Sequence, residues 1–176
     1  MTSALPNGTY EDARALVGQL RRVSVASGPV NASMIKFFAS AAEDANPGYW
    51  DEEFANEAWG GLISPPSMLT HWILPPPWSP GEPTGGRLAP PILMSEVPLP
   101  GTSLINISVD YTYRRLVRVG DVLHMVEELV DVSEQKITRI GIGHFVTTTT
   151  TFLVQDEVVA DQTNVLFRYS PGRADA

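Results

Sequence analysis

Few side chains in this sequence can move protons at neutral pH. There is no cysteine, which removes a thiol nucleophile, a thiolate zinc ligand and any disulfide. Of the three histidines, His71, His124 and His144, none lies near another in the chain. The densest candidate stretch is Glu43-Asp44-Ala45-Asn46-Pro47-Gly48-Tyr49-Trp50-Asp51. It sets a carboxylate, Asp44, five residues before a phenol, Tyr49, with the turn signal Asn46-Pro47 between them. A tyrosine hydroxyl has an ordinary pKa of about 10, so it can donate a hydrogen bond but is a poor base at pH 7. Arg114, Arg115 and Arg118 are the clustered cations of the strand-rich half. They read as an anion-binding group or as a solvated strand end. No glycine-rich phosphate loop, zinc-ligand spacing or Ser-His-Asp set is visible, and no metal or cofactor is called for.

These residues must be positioned by one domain. The chain has 176 residues, 43% hydrophobic and 18% charged, enough to bury a core. Its formal net charge of −8 argues against a nucleic-acid partner, since phosphate readers carry the opposite balance. Residues Met1 to Tyr10 lack the basic and apolar blocks of a signal peptide, and no apolar run approaches the ~20 residues that span a bilayer. The sequence reads as soluble and cytoplasmic.

Three zones follow one another: helical over 1–73, irregular over 74–102 and strand-rich over 103–169, the pattern of an α+β protein. Thr9 caps a first helix, with Asp12 three residues on and Ala13, Leu16, Val17 and Leu20 at helical spacing. Asn31 caps a second, whose apolar stripe is Met34, Phe37, Phe38 and Ala41. A short third helix covers Asp51 to Ala55. Ser64-Pro65-Pro66 opens a fourth, with Met68, Leu69, Trp72 and Ile73 making it apolar enough to be buried. Pro75-Pro76-Pro77 ends it. Nine of the fifteen prolines fall within 75–100, where regular structure is not expected. Trp78, Leu88, Ile92, Leu93 and Met94 argue that parts of this stretch pack against the rest.

Four strands then read as an antiparallel meander: Leu104 to Tyr113, Val122 to Val132, Ile137 to Val154 and Val158 to Phe167. The five threonines Thr147 to Thr151 favour strand and should face alternate sides of the sheet. The expected division is a helical extension over 1–28, one domain over 29–169 containing the proline-rich insert 74–102, and a polar tail over 170–176.

The Glu43 to Asp51 segment resembles the D-x-N-P-x-H-x-D signature of the MaoC-like (R)-specific enoyl-CoA hydratases. Met34 to Ala41 resembles the helix before that signature. Phe54 to Leu69 resembles the stretch leading into the family's central helix, and Arg118-Val119-Gly120-Asp121 its P-V-x-x-G-D turn. The Ser64 to Leu69 segment is most similar to the FAS1-like dehydratase subgroup, and Gly28-Pro29-Val30-Asn31 to its steroid side-chain members. The resemblance covers most of 29–168. It implies a hot-dog fold, a long antiparallel sheet wrapped round a central helix.

The resemblance implies hydration of a trans-2-enoyl-CoA to a 3-hydroxyacyl-CoA. In the family an Asp and a His hold and activate the water, and backbone N–H groups at the start of the central helix serve the thioester oxygen. Asp44 occupies the aspartate position, and Tyr49 stands where the family has histidine. The expectation is therefore a subunit that shapes the pocket for a bulky or long acyl group, such as a steroid side chain. A second hot-dog subunit would supply Asp and His. Candidate substrate contacts are Asn46, Ser64, Ser67 and Trp72. Arg114, Arg115 and Arg118 could meet the 3′-phosphate of coenzyme A. Plainer readings stand beside these: Asp44 as a helix-end residue, Asn46 as turn chemistry, Tyr49 as a packed aromatic and the two serines as helix-start residues. Rival functions are a self-sufficient homodimeric hydratase using Asp44, a hot-dog thioesterase and a non-catalytic acyl-CoA-binding protein.

Overall fold

A computed structural model describes residues 5–76, 78, 80, 81 and 93–172. Leu88 and Ile92 of the proline-rich stretch lie outside them, as does the end of the polar tail. Leu93 and Met94 are buried, as expected.

Helix α1 (Tyr10–Ala15) starts on the expected capping box. The Asp12 N–H donates to Thr9 Oγ1 at 3.1 Å and the Thr9 N–H donates to Asp12 Oδ2 at 2.9 Å. It does not continue to Leu20. Gly18 takes a left-handed conformation (φ 73) and donates its N–H to the Leu129 carbonyl, which turns the chain onto the sheet. Strand β1 (Arg21–Val25) follows where helix was expected, so the N-terminal extension contributes a sheet strand. Its alternation Arg-Arg-Val-Ser-Val fits a strand, and Arg21 pairs in register with Glu128, 3.3 Å away.

Helix α2 (Ala32–Ala41) is capped by the Asn31 side chain, which accepts from the Met34 N–H. Its buried face is Ile35 and Ala39, not the expected stripe: Phe37 is 80% exposed. Helices α3 (Pro47–Trp50) and α4 (Glu52–Trp59) meet at Asp51, whose side chain caps α4 through the Phe54 N–H. The expected third helix is thus longer than Asp51 to Ala55.

The segment from Pro66 to Ile73 is buried as expected, through Met68, Leu69, Trp72 and Ile73. It is not an α-helix. It forms two 3-10 turns, Pro66–Met68 and Thr70–Ile73, with N–H groups of Met68 and Leu69 donating to the carbonyls of Pro65 and Pro66. Pro75 forces Leu74 into an extended conformation (ψ 127), so the segment is too short to settle into a long helix.

The sheet comprises β1, β2 (Ser103–Tyr113), β3 (Leu123–Val132), β4 (Lys136–Thr138), β5 (Gly141–Val154) and β6 (Glu157–Pro171). Its order is β1-β3-β5-β6-β2, with β4 on β5, and these pairings are all antiparallel. This differs from a meander: β2 precedes β3 in the chain yet lies at the far edge, beside β6. The expected run Ile137 to Val154 is broken after Thr138. Gly141 resumes it with φ 150, at a place where a Cβ would collide with the Ser170 carbonyl. The threonine run alternates as expected, with Thr148 and Thr150 buried.

One core cluster joins α2, Tyr49 and the 3-10 segment to Leu123, Phe152, Val159 and Ala160. A second joins α1 and Leu93 to Leu99 with Leu129, Val132, Val146 and Leu166. The sheet thus curls round the buried 3-10 segment, which takes the place of the expected central helix.

Candidate functional site

The Asp44 loop is built from short-range hydrogen bonds. Glu43 sits at φ 52, and the Asp44 N–H returns to the Ala39 carbonyl at 2.9 Å, closing α2. Asp44 Oδ1 accepts from the Asn46 N–H at 3.0 Å, and Asn46 Oδ1 accepts from the Gly48 N–H at 3.0 Å. The Trp50 indole donates to the Asp44 carbonyl at 2.8 Å. Two consecutive side-chain turns therefore fix the loop, the turn chemistry expected of Asn46. Asp44 is exposed and lines a shallow open depression with Ser40, Pro47 and Trp50.

Tyr49 is brought close to Asp44 but faces inward. It is buried among the core cluster of Ile35, Ile63 and Leu69. Burial pushes its hydroxyl above the ordinary tyrosine range, and the Asp44 charge adds to this, against a hydrogen bond with the Asn46 side chain. The hydroxyl stays neutral at physiological pH and cannot serve as a base there.

Ser64 and Trp72 hold each other. The Trp72 indole donates to Ser64 Oγ at 2.8 Å, and the Ser64 N–H is engaged by the Val117 carbonyl at 2.7 Å. Ser67 is exposed on the first 3-10 turn. Ser64 lines a cavity of about 210 Å³ with Pro65, Pro66, Leu69, Tyr113 and Arg115.

The arginine cluster is largely committed to carboxylates. Arg114 lies 2.6 Å from Asp161, and Arg115 bridges Asp121 at 2.8 Å and Glu157 at 2.7 Å. Burial alone would raise the Asp121 carboxyl. Hydrogen bonds from Arg115 and the Arg118 N–H, with the two guanidinium charges, outweigh it and hold Asp121 below the usual range. Among the described residues, Arg118 Nε is buried without a hydrogen-bond partner. His71 is exposed on the 3-10 segment. His144 is buried and stacks on Tyr10. Its Nδ1 lies 2.9 Å from the Ser133 carbonyl, which can only accept, so the proton sits on Nδ1.

A second enclosed cavity, about 370 Å³, lies between the concave sheet face and the end of the 3-10 segment. Its described lining includes Thr70, Ile73, Leu74 and Pro75 on one side and residues of β1, β2, β3, β5 and β6 on the other. Its volume falls in the range of ~300–1,000 Å³ that small-molecule sites occupy. It opens where Pro75 stops the 3-10 segment. Trp72 is in the core and is not among its described lining residues.

Much of this lining escaped the reading of the sequence. Glu127, Gln162 and Asn164 are polar residues that face inward. The signal was present in β6, where Gln162 and Asn164 share the two-residue phase of the buried Ala160 and Leu166.

A curled antiparallel sheet around a buried segment is the hot-dog arrangement. The chain belongs to the family described as the FAS1-like, dehydratase domain region, whose model matches residues 15–162. It is 31% identical over 152 residues to a probable enoyl-CoA hydratase alpha subunit of Thermomonospora curvata, covering 84% of this chain and 47% of the relative. It is 30% identical over 151 residues to the 3-oxo-4,17-pregnadiene-20-carboxyl-CoA hydratase alpha subunit of Mycobacterium tuberculosis, with the same coverage, 84% and 47%. The chain therefore spans about half the length of these curated relatives. Among solved structures, the ChsH1-ChsH2 complex of Mycobacterium tuberculosis shares the fold with a TM-score of 0.76 at 23% identity, covering 94% of this chain and 93% of that one. The R-hydratase PhaJ1 of Pseudomonas aeruginosa does so with a TM-score of 0.58 at 18% identity, covering 95% and 87%. No helix among the described residues is long and apolar enough to cross a membrane.

Proposed function

We propose that this chain is the pocket-forming subunit of a heteromeric trans-2-enoyl-CoA hydratase acting on a bulky acyl-CoA. The observation that carries this reading is a contrast within one fold. Tyr49, which the resemblance sets against the family's histidine, is neutral and buried, while a cavity of about 370 Å³ opens where the 3-10 segment stops. Both relatives are named as hydratase alpha subunits, the first an enoyl-CoA hydratase, which supports the reaction class. The second is named for a steroid-type acyl-CoA, which agrees with a wide pocket.

Hydration needs a base to deprotonate water as it adds to the β-carbon, a proton for the α-carbon and donors for the thioester oxygen. This chain retains the loop that presents Asp44 but lacks the imidazole, so a partner hot-dog subunit supplies the working Asp and His. The inner face of edge strand β2 supports a partner. Val109, Tyr111 and Tyr113 border the two cavities yet remain more than a third exposed. A second subunit against β2 would cover them and close the site.

Affinity isolation from the native source, with intact mass of the complex and a hydration assay, tests the proposal. The expected result is a second hot-dog chain bearing D-x-N-P-x-H and activity only in the complex. An active homodimer would overturn it and return catalysis to Asp44.

A further inference from the structure

Glu127 puts a carboxyl in the wall of the cavity of about 370 Å³, and hydration gives it no task. It lies on β3 and is 8% exposed. Its charged neighbours stand on one side. Arg22 of β1 pairs with it in register, and the guanidinium Nη1 is 3.9 Å from Glu127 Oε2. That is too far for a hydrogen bond. The same guanidinium hydrogen-bonds Glu96 through Nη2. The 3-10 turn Leu93–Glu96 brings that second carboxylate and one donor, the Leu93 N–H, 3.2 Å from Glu127 Oε2. The cluster therefore holds two carboxylates and one guanidinium, and Glu96 has the closer claim on it.

Toward the cavity the neighbours carry no charge. Thr150 of β5 lies directly opposite Glu127 in register, Gln162 of β6 follows, and Tyr111 of β2 ends the row. Thr70 and Ile73 of the 3-10 segment line the other side. Arg22 and Glu127 are the charged residues of the described lining, and Tyr111 is its other titratable group.

An ionised carboxylate offers about four lone-pair sites, and the Leu93 N–H fills one of them here. The rest of its solvation must come from the cavity. Burial already raises the Glu127 carboxyl above its ordinary range, against the Leu93 N–H and the Arg22 charge, and the Glu96 charge adds to the rise. An apolar group entering the cavity takes the place of water and leaves the guanidinium with Glu96. The charged form then loses solvation that the neutral acid hardly needs. A proton taken from solvent converts the carboxylate to the acid, whose carbonyl oxygen can still accept from the Leu93 N–H.

We propose that occupancy of this cavity is coupled to uptake of one proton by Glu127. The proposal rests on the acyl-CoA reading of the cavity and adds a regulation to it. A ligand that prefers the protonated form binds best below the pKa of the empty site. Its affinity falls as pH rises from there to the pKa of the filled site, and is level above it.

The test is isothermal titration calorimetry of a saturated polycyclic acyl-CoA, which cannot be hydrated, into the chain isolated with whatever subunit accompanies it. Titrations are run at pH 6 and pH 8, each in two buffers of different ionisation heat. The expected result is net proton uptake on binding and affinity about three- to tenfold weaker at pH 8 than at pH 6. Coenzyme A alone, titrated in the same way, gives the share of its own phosphates. Glu127→Gln is uncharged and can still accept from the Leu93 N–H, so it should remove the uptake and flatten the profile. Infrared difference spectra of the unaltered complex read the same event without a variant, as a protonated-carboxyl band that grows on binding. Binding with no uptake beyond that of coenzyme A, or with no such band, would overturn the coupling alone. Uptake that persists unchanged in Glu127→Gln would do the same. Failure of the acyl-CoA to bind at either pH would overturn both the coupling and the acyl-CoA reading.

Discussion

The Trp72 indole N–H and the Ser64 hydroxyl oxygen meet at 2.8 Å, tying the far end of the 3-10 segment to its beginning. Both residues are buried, so neither partner has water in reserve. Ser64→Ala removes the acceptor and strands a buried donor, at about 1–3 kcal/mol. Urea unfolding should show that loss. Trp72→Phe removes the donor and much ring volume together, and should cost at least as much through packing.

Asp44→Asn keeps an oxygen to accept from the Asn46 N–H while removing the charge. Hydration by the isolated complex should stay within about twofold of the unaltered protein. A loss of a hundredfold or more in kcat would place the reaction on this chain.

Asp121 is the depressed carboxyl of the Arg115 pair. A group whose folded pKa lies below its unfolded value of about 3.9 adds stability that is full above that value. The contribution is lost as pH falls from there through the folded pKa. Asp121→Asn should therefore lose roughly 2 kcal/mol at pH 7 and show a flatter decline in Tm below about pH 4.

Glu127 has the opposite sign. Its folded pKa is raised, chiefly by burial, so its contribution to stability is present below the unfolded value of about 4.3 and is lost as pH rises through the folded pKa. Glu127→Gln can still accept from the Leu93 N–H. This variant should gain stability relative to the unaltered protein as pH rises, read as the difference in Tm between pH 4 and pH 8.

How far the sequence carried depended on the range of the forces involved. Thr9, Asn31 and Asp51 act on backbone N–H groups within three residues, and the helix starts at the first two were legible for that reason. The threonine run was legible because alternation is a property of the strand itself. Strand β1 was not, because its partner β3 is remote in sequence and Arg21 to Val25 can be continued from a helical pattern just as easily. The place of β2 beside β6 was hidden for the same reason. Asp44, Asn46 and Tyr49 stand out in the sequence as a candidate motif, but only packing reveals that Tyr49 faces the core. Gln162 and Asn164 look like ordinary exposed strand residues until the cavity is seen.

The β5–β6 pair has a further consequence, for the order in which the protein folds. These two long strands are joined by a tight turn around Gln155 and Asp156, so their contacts are the least costly in chain entropy. The edge strands β1 and β2 find their places only over long loops. The hairpin bearing Thr148 and Asn164 should form early, and substitutions along it should slow folding. Substitutions in β2 should chiefly speed unfolding, since the floor of the cleft is laid before the wall that a neighbouring subunit would meet.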